Sequence, residues 1–134
     1  MTTLVEDRDE ILQLIYRYAN AIDRYSVGGD LGEWLDTFTE DGSHEFAGTI
    51  RTGEELARLA DQVAGLRHFM VNPEIEVEGD AASVRAVQLI YQGLALGAVN
   101  WQEAEAVRTP AGWRFSKVKV TRTAGGVVDA DSLK

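Results

Sequence analysis

The sequence predicts an α+β fold: a cone-shaped, curved mixed or antiparallel sheet packed against a long N-terminal helix and two shorter helices, enclosing a pocket. Three observations point there. Apolar or half-apolar residues Ile11, Ile15, Tyr18, Ala19 and Ile22 recur at helical spacing near the start of the chain. From about residue 66 the spacing changes to alternation, the mark of half-buried strands. In the last strand Trp113 and Phe115 share one parity while Val118 and Val120 share the other. A bulge near Ser116-Lys117 reconciles them, and bulges are how strongly curved sheets turn corners.

Taken in order, Asp7 with Glu10 has the form of a capping box and opens a helix over about residues 7–25, which ends before Gly28-Gly29. Asp30 caps a short helix that turns Leu31, Trp34, Leu35 and Phe38 inward. Glu40-Asp41-Gly42 reads as a turn, and His44 to Ile50 as a hairpin around Gly48. Thr52-Gly53-Glu54-Glu55 is a second capping box, leading a helix through Leu56, Leu59, Ala60 and Val63. Residues 66–78 form a long strand in which Phe69, Val71, Ile75 and Val77 alternate with polar neighbours. Glu78-Gly79-Asp80-Ala81 turns into a strand over 82–96, and another covers about 98–108. Thr109-Pro110-Ala111-Gly112 turns once more, residues 113–122 run back, and residues 123–134 form a loose, flexible tail. Helices first and long antiparallel strands afterwards make one domain over 1–134, its core about 7–122, with a cavity between helix and concave face.

Composition narrows the function. The 134 residues are 45% hydrophobic and 26% charged, which is globular rather than disordered. Without cysteine there is no disulfide, thiolate metal site or Cys nucleophile. The opening MTTLVEDRDE lacks the order of a signal peptide, and no run approaches the roughly 20 apolar residues of a membrane span, so a cytoplasmic protein with no membrane partner is expected. Thirteen Lys and Arg against 22 Asp and Glu give a net charge of −9, which repels phosphate backbones and argues against nucleic acid.

The sequence holds no GxSxG, GxxxxGK[ST] or GxGxxG motif, and its two histidines have no metal-ligand spacing, so neither a metal nor a cofactor is expected. What remains is a set of titratable residues at positions that should be buried. Asp23 lies on the flank of the first helix's apolar stripe, near a helix C-terminus whose dipole disfavours a carboxylate. His68 sits midway along a strand with Leu66 and Met70 on its face. Tyr18 is on the stripe itself, Tyr91 lies in a later strand, and His44, beside Glu45, falls at the pocket rim or is exposed. Each alone also suits a structural role: a solvated flank residue, a satisfied half-buried histidine, core tyrosines. Together, a helix bearing Asp23 crosses a concave sheet bearing His68, and carboxylate to imidazole to substrate proton is a working general-base arrangement.

RYANAID, WLDTFTEDG, GLRHFMVN and GWRFSKVKV, as they stand in this chain, resemble the SnoaL-like family of cystatin-like cone folds, over residues 7–122. The resemblance is to the branch that holds scytalone dehydratase, bile-acid 7α-dehydratase and hexachlorocyclohexane dehydrochlorinase, which eliminate water or HCl without a cofactor through an Asp–His dyad. It implies a dyad of Asp23 and His68, with Tyr18 as a third catalytic group and Tyr91, His44, Phe46, Trp34 and Met70 around the substrate. Where the scytalone enzyme has a second histidine this chain has Tyr91 and Gln92, and its tyrosine before the aspartate is Ile22. The expected function is a cofactor-free lyase (dehydratase-like) or isomerase acting on a small hydrophobic, cyclic substrate. The alternative is a non-catalytic ligand-binding or subunit-assembly domain of the same fold. Apolar residues on the convex face, Trp101 or Val99 among them, predict a homodimer or homotrimer.

Overall fold

The computed structural model describes residues 2–124. The first helix, α1 (Leu4–Tyr25), starts one turn earlier than the spacing suggests. Thr3 is its cap: the Thr3 hydroxyl accepts from the Glu6 N–H at 3.1 Å and the Glu6 carboxylate accepts from the Thr3 N–H at 3.3 Å. Asp7 is therefore inside the helix and buried. After α2 (Leu31–Leu35), capped as expected by Asp30 onto the Gly32 N–H at 2.9 Å, come β1 (Phe38–Phe46) and β2 (Thr49–Thr52). The third helix, α3 (Glu54–Gln62), opens on Gly53 at φ 55° with no side-chain cap. Only half of the expected box forms, Thr52 N–H donating to Glu55 at 3.3 Å. Four long strands follow: β3 (Leu66–Glu78), β4 (Ala81–Gln92), β5 (Ala95–Thr109) and β6 (Gly112–Ala124).

Three expectations change. Glu40-Asp41-Gly42 is not a free turn but a bulge within β1, between the pairings Phe38↔Phe115 and Ser43↔Lys117. A side chain at Gly42 would press on the Phe38 Cβ at 3.0 Å and the Phe115 carbonyl at 3.1 Å, so the bulge needs glycine for space. The strand expected over 82–96 breaks at Gly93-Leu94, where Gly93 takes φ 60° and Leu94 is fully exposed. Its apolar side chain disguised a turn as strand continuation. The last strand runs to Ala124, so the expected tail loses its first two residues to β6, and the rest of it lies outside the described residues.

The sheet is mixed, in the order β2-β1-β6-β5-β4-β3, with β1 and β6 parallel and every other pair antiparallel. Bulges bend it. At Ser116 the register slips between Glu105↔Lys117 and Ala106↔Phe115, which lets Trp113, Phe115, Val118 and Val120 all face the core despite their opposite parity. A second slip lies between Val71 and Glu74, with Asn72 at φ 54°. Before it the inward residues of β3 are Leu66, His68 and Met70, after it Ile75 and Val77, so Phe69 faces outward instead of sharing their side. The concave face wraps α1, whose buried stripe Ile11, Leu14, Ile15 and Ile22 meets Phe115 and Val118. Burial of side chains of this size contributes about 1.5–3 kcal/mol each. Among the described residues no helix is long and apolar enough to cross a membrane.

The Asp7 carboxylate fastens the start of α1 to the β5–β6 end of the sheet. It accepts from Arg108 Nη1 and Nη2 at 2.7 and 2.9 Å and from Trp113 Nε1 at 3.3 Å. Arg108 also lies over the Trp113 ring at 4.8 Å and bonds Asp80 at 2.9 Å. These hydrogen bonds, from Arg108 first and then from Thr2 and Trp113, hold the Asp7 carboxyl well below the usual carboxylate range. A folded pKa below the unfolded one stabilises fully above about pH 4, the unfolded value, and that stability is lost as the pH falls. Thermal unfolding followed downward from about pH 4 should thus show a falling Tm, with a shallower fall in Asp7→Asn, which should also melt lower at neutral pH.

Candidate functional site

In a flat sheet the edge strands β2 and β3 would be about 24 Å apart, at roughly 4.8 Å per strand. Here Arg51 of β2 and His68 of β3 line one cavity of about 310 Å3. The curl of the sheet brings its two edges together, with α1, α2 and α3 contributing Ile22, Trp34 and Leu59 to the walls.

At the β3 edge, Asp23 near the end of α1 meets His68. Its carboxylate, only 9% exposed, accepts the His68 backbone N–H at 3.1 and 3.0 Å to its two oxygens. Oδ1 lies 2.8 Å from the His68 Nδ1 and Oδ2 accepts from Arg67 Nε at 3.1 Å. An ionised carboxylate only accepts, so Nδ1 carries the proton of the neutral ring and Nε2 keeps its lone pair. Nε2 has no hydrogen-bond partner among the described residues, and the ring lines the cavity.

Tyr18, Trp34, His44 and Phe46 also line the cavity. Tyr18 stacks edge-on against Phe38 and Phe115, and burial pushes its phenol well above the ordinary 10, so it remains a neutral O–H donor. His44 is buried rather than exposed or at the rim, because it takes the inward parity of β1 beneath the curled β2 edge. Two expected contacts lie elsewhere. Tyr91 is on the outer face, edge-on to Phe69 at 5.5 Å, since alternation gives the inward position to Ile90. Met70 faces inward but packs in the core under α1, outside the cavity lining.

The sequence reading passed over a polar chain on the cavity floor. Arg122 Nε donates to Asn100 Oδ1 at 3.4 Å, Asn100 Nδ2 to Gln88 Oε1 at 3.0 Å, and Gln88 Nε2 to Gln102 Oε1 at 3.1 Å. All three amides are buried. The signal was there to read: Gln88 shares the parity of Val84 and Ala86, and Asn100 and Gln102 that of Ala104 and Ala106. Amides placed in an apolar row are costly unless bonded, which marks them as a network. Among the described residues no group of three His, Asp or Glu could hold a metal ion.

The profile of the SnoaL-like domain family matches residues 3–119. The chain belongs to that family. Among curated relatives, the uncharacterized protein Rv2910c of Mycobacterium tuberculosis is 30% identical over 130 residues, covering 83% of this chain and 82% of its own. Among solved structures, an NTF2-like protein with a cystatin-like fold from Novosphingobium aromaticivorans is 27% identical, covers 98% of this chain and 91% of its own, and superposes with a TM-score of 0.79. A protein of Streptomyces avermitilis, described as a candidate dehydratase of the NTF2-like family, shares the fold at 18% identity, over 92% of this chain and 100% of its own, with a TM-score of 0.77.

In this SnoaL-like domain the two histidines occupy different electrostatic settings. Burial first, then the guanidinium charge of Arg51, push the His44 pKa down to about 4, so its ring is neutral near pH 7. The His44 Cε1–H resonance, assigned by its disappearance in His44→Gln, should titrate near pH 4 instead of about 6.5, and Arg51→Gln should move the midpoint upward.

Proposed function

We propose that this SnoaL-like protein is a cofactor-free lyase of the dehydratase kind, or an isomerase, acting on a small cyclic molecule in this cavity. The observation that carries the reading is the 2.8 Å contact between Asp23 and the Nδ1 of a His68 ring that lines an apolar-walled cavity. In the proposed reaction Nε2 removes a proton from a carbon beside a carbonyl, and the C–H electron pair forms an enolate. Asp23 stabilises the resulting imidazolium. The Tyr18 hydroxyl donates to the enolate oxygen. In elimination, the enolate collapses to a C=C bond, the β-carbon–oxygen bond breaks, and the imidazolium proton leaves with the hydroxide as water. In isomerisation, that proton returns to another carbon. A halide leaving group needs no proton.

Turnover on a panel of cyclic β-hydroxy ketones, followed through the absorbance of the conjugated enone, tests the reading. His68→Ala should lose about 10²–10⁴-fold while remaining folded, the usual worth of a general base. Asp23→Asn should lose a comparable factor, and the double variant little more, because the pair works as one unit. Turnover that His68→Ala leaves unchanged per folded molecule would sink the catalytic reading in favour of a ligand-binding domain.

The proposal includes self-association through the outer face of the sheet. The register sets Phe69, Leu89 and Val99 side by side in one row and Val71, Val87 and Trp101 in the next. Phe69 and Trp101 are 44% and 43% exposed. Contiguous apolar rows of this kind favour a second copy as cover. Light scattering at micromolar concentration should give a dimer or trimer mass, which Trp101→Glu reduces to monomer; a monomeric parent protein contradicts it.

A further inference from the structure

The cavity has a second set of polar side chains besides the Asp23–His68 pair. Its register is explicit: Arg51 of β2 lies directly opposite His44 of β1, and Arg122 of β6 directly opposite Asn100 of β5. The Arg122 guanidinium also lies over the Phe46 ring, 5.4 Å from its centroid. Both arginines line the cavity, and neither makes an ion pair among the described residues. No carboxylate lines the cavity among the described residues, although the chain as a whole carries −9. Three nitrogens at this site are buried without a partner: Arg51 Nη1, His44 Nδ1 and Trp34 Nε1, the last two on residues only 7% and 2% exposed.

Arg51 is half-buried with its Nη1 enclosed, while Arg122 is exposed, and an enclosed donor left unpaired is costly. Carboxylates are the groups that a planar fork of N–H donors fits best, by paired, charge-assisted hydrogen bonds. Most cavity-lining residues of the helices and of β3 and β4 are apolar, among them Ile22, Leu59, Val63, Leu66 and Ile90. From this we infer that the ligand is an amphiphilic acid rather than a purely hydrophobic molecule. Its carboxylate is held by Arg51 and Arg122 at the β2–β1–β6 end, and its cyclic apolar body reaches across to His68. The inference rests on the cavity being the substrate site, and names the class of substrate it takes. Asp23 is paired with Arg67 and His68 and with neither of these arginines, so they are free to anchor the acid. A carboxylate fixed at that end sets which ring carbon is presented to Nε2.

Binding of matched pairs tests this without any turnover: benzoate, cyclohexanecarboxylate and 2-naphthoate against their carboxamides, by calorimetry on the full chain. At least one acid should bind about tenfold or more tightly than its isosteric amide, as expected for charge-assisted recognition by a planar fork of donors. Arg51→Gln and Arg122→Gln should each remove most of that preference while leaving the amide affinity alone, and Arg122→Lys should restore only part of it. The comparison within the unmodified protein stands whether or not a variant folds. Acids that bind no better than their amides, or that all fail to bind, overturn the inference, as does a preference that survives in folded Arg51→Gln/Arg122→Gln. His68→Ala should keep the preference in full. A preference kept there together with unchanged turnover would defeat the dyad and leave the acid site standing, so the two ideas fail separately.

Discussion

The placement of α1 across the concave face is the constraint on which the rest of this molecule depends, and two carboxylates hold it. Asp7 in its first turns and Asp23 in its last are about 24 Å apart along the axis, at roughly 1.5 Å per residue. Asp7 is bound by Arg108 and Trp113 from the β5–β6 end, Asp23 by the backbone and ring of His68 in β3. The apolar stripe between them, Ile11 to Ile22, supplies the burial, while the two charged contacts determine the direction in which the helix lies. A hydrophobic stripe alone is non-directional; hydrogen bonds to a carboxylate are not.

The second anchor makes the fold and the candidate chemistry inseparable. The Asp23 carboxylate that accepts the His68 backbone N–H also accepts from the ring, so docking the helix selects the tautomer. The ring so held lines the cavity as a consequence of packing, with no separate device. The rest of the polar lining works by different means. There the register of edge strand β2 against β1 stacks Arg51 beside His44, and His44 stays neutral because a cation and an apolar environment surround it. One cavity thus contains a histidine bonded to a carboxylate and two arginines, with no carboxylate in its lining among the described residues. That polarity of the site, more than its volume, restricts what it can accept.

Much of the architecture was legible because the relevant signals are local. The helical period of Ile11 to Ile22, the cap at Asp30 and the opposed parities of Trp113–Phe115 and Val118–Val120 each lie within a few residues, and the last of these located the bulge at Ser116. Where two local signals compete, distant partners decide. Thr3–Glu6 and Asp7–Glu10 both have the form of a capping box, and the second loses because Asp7 is taken by Arg108 and Glu10 by the Trp113 N–H at 2.6 Å. Phe69 shares the parity of Ile75 and Val77 in the sequence yet faces the other way, because nothing in its neighbourhood announces the slip at Asn72-Pro73.

The sequence by itself determined the order of elements, the alternation within the strands and the presence of an aspartate and a histidine at positions destined for burial, because period and residue type are properties of short segments. Only the tertiary structure decided that Asp23 and His68 share a hydrogen bond, that Tyr91 faces away while Ile90 faces in, and that Arg51 and Arg122 face one cavity. Those facts follow from how far the bulges curl the sheet. Curl accumulates over six strands, and no single segment records where the two edges meet.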